Sequence, residues 1–216
     1  MSESLVVRDS TYDNYPPHWA RWSTLVHAGK RPSDLGFSCA FADLNRFAHR
    51  YRLATSFRGI DLYRYTRETT YGYSCLFWVF LVWSAFEHFL RMIPCNQDDC
   101  TDIISRYPAT KEIRYIRAQD PEYRFFGMIA SKARPRGRKE LQAFMAGQPI
   151  NYTYLASTIR HIFAHGELTP NVNRSDPESV GAICETIAEI HLRVLEREFS
   201  RRIRELGRSD SASGPA

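Results

Sequence analysis

Two residue types able to move a proton and hold an anion stand close together in Arg160-His161-Ile162-Phe163-Ala164-His165, and of the seven histidines only His165 has an arginine five positions before it. A histidine titrates near neutral pH and can act as general base or acid, typically for roughly a 10²–10⁴-fold gain. An arginine offers a planar fork of donors that suits a phosphate group and charge gathering on its oxygens. On an ideal helix five residues place Arg160 and His165 about 140° apart. They converge if the helix frays near Gly166, if the arginine wraps round, or if a symmetric dimer pairs two motifs across its axis. His161 and His165 are four apart and share a face, a spacing open to zinc. The sequence is not His-Glu-x-x-His and offers no third ligand nearby, so neither a metal nor a cofactor is expected. A structural reading of the same residues pairs Arg160 with Glu87 and lets His165 cap its helix. A second basic element, Lys132-Ala133-Arg134-Pro135-Arg136-Gly137-Arg138-Lys139, has the composition of an exposed loop. Lys132, Arg134, Arg136, Arg138 and Lys139 would be natural phosphate contacts beside an RNA site.

These residues must be positioned by helices, since apolar residues recur at spacings of three and four and no convincing strand is visible. The first 36 residues hold Pro16, Pro17, Gly29, Pro32 and Gly36, which predicts an irregular N-terminal arm whose Tyr12, Tyr15, Trp19 and Trp22 pack on the body. Helices are expected from Phe37 to about Phe57 and from about Tyr65 to Ile93, the latter stopping before Pro94. Tyr73 to Phe86 carries no charge. It is shorter than the roughly 20 apolar residues that span a bilayer and is followed by Glu87, His88 and Arg91, so a buried central helix is expected. Shorter helices follow at Asp98–Tyr107, Ala109–Ala118 and Pro121–Ala130. A helix from about Asn151 to His165 should stop at Gly166. Asp176 is placed to cap a long amphipathic helix beginning at Pro177 and ending near Leu206. The Ser/Gly-rich stretch 207–216 reads as a disordered tail. The division expected is an arm and helix over 1–65, an all-α bundle over 66–206 and a tail over 207–216.

Ile159-Arg160-His161-Ile162-Phe163-Ala164-His165-Gly166-Glu167-Leu168-Thr169 resembles the ribonuclease motif of the HEPN family, and Trp83-Ser84-Ala85-Phe86-Glu87-His88-Phe89-Leu90-Arg91 is similar to the earlier helix that often supplies an acidic residue in that family. The resemblance extends over about Thr66 to Leu206. It implies an HEPN-like helical bundle, commonly homodimeric, that cleaves RNA without a metal. The ribose 2′-hydroxyl would attack, leaving a 2′,3′-cyclic phosphate and a 5′-hydroxyl. Arg160 and His165 map onto the family's catalytic pair, and His161 falls where asparagine or another polar residue is commoner. Glu87 would orient His165 or Arg160. The resemblance also implies a toxin or phage-defence setting with a restraining partner, often a nucleotidyltransferase-like antitoxin. A non-catalytic HEPN-like module that binds a protein or nucleotide is the alternative, and a metal-dependent hydrolase is a third class.

Composition is compatible with this reading. The chain of 216 residues is long enough to bury a core without disulfides or metal. Net charge is +5 with an isoelectric point near 9.0. Only Lys30, Lys111, Lys132 and Lys139 among the 29 basic residues are lysines, so arginine dominates. That bias suits phosphate recognition and also follows from a GC-rich genome. The five scattered cysteines are expected to be reduced thiols. Met1 to Ser10 carry charges and no apolar h-region of signal-peptide length, so a cytoplasmic protein without a signal peptide or membrane span is expected.

Overall fold

Residues 14–212 are described in the computed structural model, with side chains as far as Leu206. Among them the chain is all-α: nine helices and two short 3₁₀ turns, with no strand. The helices are α1 (Trp19–His27), α2 (Phe41–Ser56), α3 (Arg67–Met92), α4 (Thr101–Arg106), α5 (Thr110–Gln119), α6 (Arg124–Lys132), α7 (Pro135–Met145), α8 (Thr153–Ala164) and α9 (Pro177–Ala212).

Helix α3 is the axis of the fold. Thr66 caps it, its hydroxyl accepting from the Thr69 amide at 3.2 Å, and extended backbone at Ile93 before Pro94 ends it. By length and composition α3 could cross a membrane. Here its apolar residues, among them Leu76, Val79, Val82, Phe86 and Phe89, are buried against α2, α8 and above all α9. Helix α9 starts as the sequence predicts: the Asp176 carboxylate accepts from the Ser179 amide at 2.9 Å, with Pro177 in the first turn. Its stripe of Val180, Ile183, Ile187, Val194, Leu195, Phe199 and Ile203 is fully buried against the core.

Helix α8 carries the candidate motif, and its end is fixed by glycine. Gly166 adopts φ +73°, a conformation strained for residues with a side chain. There the Gly166 amide donates to the Phe163 carbonyl (2.9 Å) and the Glu167 amide to that of Ile162 (3.1 Å), closing the last turn.

Three expectations need correction. The N-terminal arm is not irregular throughout: it contains α1 and a 3₁₀ turn at Pro32–Leu35. Pro16 and Pro17 stand before α1 and do not interrupt it. Trp19 stacks on Phe199 of α9 (5.7 Å) and Trp22 on Phe41 (6.2 Å), so the arm joins the main core as its aromatic content suggested. Tyr12 lies outside the described residues. The second correction is the basic run, most of which is the first turns of α7 and not a loop. Pro135 is tolerated there because its missing N–H has no helical partner to lose. Leu141 and Phe144 give this helix its buried face. Third, α9 continues past Leu206 to Ala212, where a disordered tail was expected. Residues 213–216 of that tail lie outside the described residues.

Candidate functional site

Helices α3, α7 and α8 enclose a cleft of about 280 Å³. Trp83 and Glu87 come from α3, Arg134, Arg136 and Gly137 from the start of α7, and Tyr154, Ser157, Thr158, Arg160 and His161 from α8. Gln97, between α3 and α4, completes the lining and donates to the Ser157 hydroxyl at 2.8 Å.

Gly137 sets the width of this cleft. A Cβ there would come within 2.7 Å of the Thr158 hydroxyl oxygen, so only glycine lets α7 approach α8 this closely. The approach brings Arg134 and Arg136 to the same opening as Arg160. Arg136 is held by Asp98 at 3.3 Å, and the Tyr154 hydroxyl also donates to Asp98.

Arg160 alone among the cleft's arginines has a buried donor without a partner. Its guanidinium lies over the Phe80 ring, 5.7 Å from the centroid, and its buried Nε has no hydrogen-bond partner. Glu87 shares the cleft but pairs with Arg91 at 3.3 Å and makes no ion pair with Arg160. An unanswered buried donor costs about 1–3 kcal/mol. A bound anion is one way to recover that energy.

His161 faces the cleft half-buried. Burial holds its imidazole below the ordinary histidine range, helped by the charges of Arg134, His165 and Arg160 and opposed by Glu167. At neutral pH it is therefore a neutral base. His165 is exposed and follows the last turn of α8, outside the cleft lining. Its ring meets that of His161 edge to face, with centroids 4.6 Å apart. Among the described residues no group of three or more potential ligands is gathered for a metal.

Of the basic residues expected to bind RNA, only Arg134 and Arg136 line the cleft. Lys132 pairs with Glu167 at 2.8 Å. Arg138 turns back and donates from Nε to the Ala130 carbonyl and from Nη2 to that of Ala133, each at 3.1 Å, closing the end of α6. Lys139 is exposed on α7, outside the lining.

Tyr154, Ser157 and Thr158 were not singled out in the sequence. A signal was present: Tyr154, Ser157, Thr158, His161 and His165 recur at spacings of three and four, a polar stripe on an otherwise buried helix. No protein-family model, curated protein or solved structure matches the chain.

Proposed function

We propose that the α3–α7–α8 cleft is the active site of an HEPN-like, metal-independent endoribonuclease. The observation that carries this reading is the convergence of Arg160, His161 and Glu87 with Arg134 and Arg136 on one opening, where Arg160 lacks a carboxylate partner. Arg160 and Arg134 hold the scissile phosphate. His161, neutral at physiological pH, takes the proton of the 2′-hydroxyl as that oxygen attacks phosphorus. His165 protonates the departing 5′-oxygen as the P–O5′ bond breaks, giving a 2′,3′-cyclic phosphate and a 5′-hydroxyl. Glu87 keeps the far side of the cleft acidic and orders Arg91. The setting implied by the resemblance, a homodimeric toxin or defence effector restrained by a partner protein, belongs to the same proposal.

The test is incubation of purified protein with a mixed RNA pool in EDTA, beside His165→Ala, followed by chemical mapping of the new ends. Cyclic-phosphate ends made by the wild type and lost in the folded variant support the reading. If neither folded protein cuts any RNA, the cleft belongs to a binding module. The exposure of His165, outside the cleft lining, is the observation that favours this second reading.

A further inference from the structure

The cleft does not end at Arg160. Along the neighbouring face of α3, Phe80, Phe77, Phe163 and Phe57 run away from it in ring-to-ring contact. Phe80, beneath the Arg160 guanidinium, meets Phe77 at 6.1 Å between centroids. Phe77 in turn meets Phe163 of α8 edge-on at 5.8 Å and stacks with Phe57 at 6.3 Å. Tyr73 lies one turn before Phe77 on α3 and packs edge-on against Tyr65 at 5.9 Å.

This ladder is open to solvent. Phe77, at its centre, is 40% exposed and Tyr65 is 56% exposed. A fold that buries Phe47, Phe86, Phe89, Phe125, Phe126, Phe144 and Phe199 almost completely has left Phe77 exposed and Phe57, Phe80 and Phe163 only partly covered. Their ends are charged: Arg160 closes one, and at the other exposed Arg58 adjoins Phe57, with its Nη1 donating to the carbonyls of Thr55 (2.8 Å) and Phe57 (3.2 Å) and the rest of its fork turned to solvent. Aromatic faces between cations match a single strand of nucleic acid, whose unpaired bases stack while its phosphates meet the arginines. A duplex hides its base faces and offers phosphates alone.

We propose that the Phe57–Phe77–Phe80–Phe163 surface is a stacking platform for unpaired bases next to the scissile phosphate, so that the substrate is single-stranded RNA. This rests on the nuclease reading of the cleft. A second copy of the chain is the competing occupant. The flanking arginines favour RNA, since two copies meeting through this face would bring like charges together.

The experiment measures binding of a labelled 12-nucleotide 2′-O-methyl RNA, which lacks the attacking hydroxyl and so is not cut, in EDTA. It is offered alone or annealed to its complement, to wild type, Phe77→Leu and Phe77→Tyr. Circular dichroism and sedimentation check fold and oligomeric state, and a ribose version of the strand is assayed for cutting. The platform requires that the single strand bind more tightly than the duplex. Phe77→Leu should weaken it roughly 5- to 150-fold, the range for loss of one stacked base, and Phe77→Tyr should restore it. Equal binding of strand and duplex overturns the platform, as does unchanged binding by Phe77→Leu. A dimer that dissociates in Phe77→Leu while binding is unaffected overturns it in favour of a self-association face. Cutting that ignores Phe77 removes the platform alone. Phe77-dependent binding with no cutting of the ribose strand keeps the platform and removes the nuclease reading.

Discussion

Two arginine clusters in this molecule are built on opposite terms. On α9, fully buried Glu198 accepts from Arg201 Nη2 at 2.7 Å, Arg202 Nε at 3.1 Å and the Tyr107 hydroxyl at 3.1 Å, with Arg106 at 3.5 Å. The remaining Arg202 fork reaches the carbonyls of Leu35 (3.0 Å) and Gly36 (2.9 Å). Burial works against the Glu198 charge, but Arg201, Arg202 and Arg106 prevail and keep its carboxyl below the usual range. In the α3–α7–α8 cleft, Arg160 has an aromatic ring and no carboxylate, and its Nε is buried without a partner. The first cluster answers its charges within the chain and ties the 3₁₀ turn, α4 and α9 together. The second leaves a cation for something else to answer. A buried donor without a partner is costly, so the partnerless Nε of half-buried Arg160, in a molecule that pairs arginines well elsewhere, is the feature on which the proposed phosphate site rests.

The comparison breaks most readily at Glu198. Glu198→Gln leaves three arginines around a neutral amide and should cost about 3–5 kcal/mol of stability, read by urea unfolding. A loss below 1 kcal/mol would mean that the knot is not the structural cluster described here.

The two regions also differ in their histidines. His191, on α9, is enclosed by Trp83, Phe86 and Tyr152, and burial pushes its imidazole down to about 4. The unfolded chain, with an ordinary value of 6.5, takes up the proton first. Stability from this group is therefore present above pH 6.5, is lost as pH falls toward 4, and levels off below. The total is roughly 3 kcal/mol. An NMR titration of the His191 ring in the folded protein should find no protonation near pH 6; a midpoint there contradicts the assignment.

Gly137→Ala sharpens the cleft side. Its Cβ must push Thr158 and separate α7 from α8, at about 1–3 kcal/mol. RNA affinity should fall too, because Arg134 and Arg136 move with α7. A variant as stable as wild type removes the claim that this glycine sets the cleft width. The smallest shift is in the pH profile: the lowered His161 value should place the acid limb of the cleavage rate below pH 6.5, and His161→Ala, slowed roughly 10²–10⁴-fold, should show a residual rate without that limb.

Much of this was legible in the sequence, for local reasons. Pro94, Gly166 and Asp176-Pro177 fix helix ends through backbone rules that tertiary packing did not override. Helix α7 was hidden because Pro135 and Gly137 look like a loop when counted. Proline is harmless in a first turn, and Gly137 answers to Thr158, which is distant in sequence. Arg160, His161 and Glu87 were visible as chemistry-bearing residues and do share a cleft. That Arg138 would turn back to close α6 while Arg134 and Arg136 face the cleft depends on how α6 meets α7, which residue spacing does not encode. The position of His165 just beyond the last turn of α8, outside the cleft lining, follows from the same Gly166 stop that helped to locate the motif.

The central claim is that the chain holds one arginine cluster for itself and one for a phosphate. Its most direct test sets Arg160→Gln beside Arg201→Gln, measuring single-turnover RNA cleavage in EDTA and thermal unfolding on the same preparations. Arg160→Gln should cut about 10²–10³-fold more slowly with its unfolding temperature unchanged or raised, since the partnerless buried Nε is removed. Arg201→Gln should cut at the wild-type rate and unfold at a lower temperature, losing its hydrogen bonds to Glu198 and Glu205. If Arg160→Gln loses stability and cuts normally, Arg160 is structural and the account of the cleft is wrong.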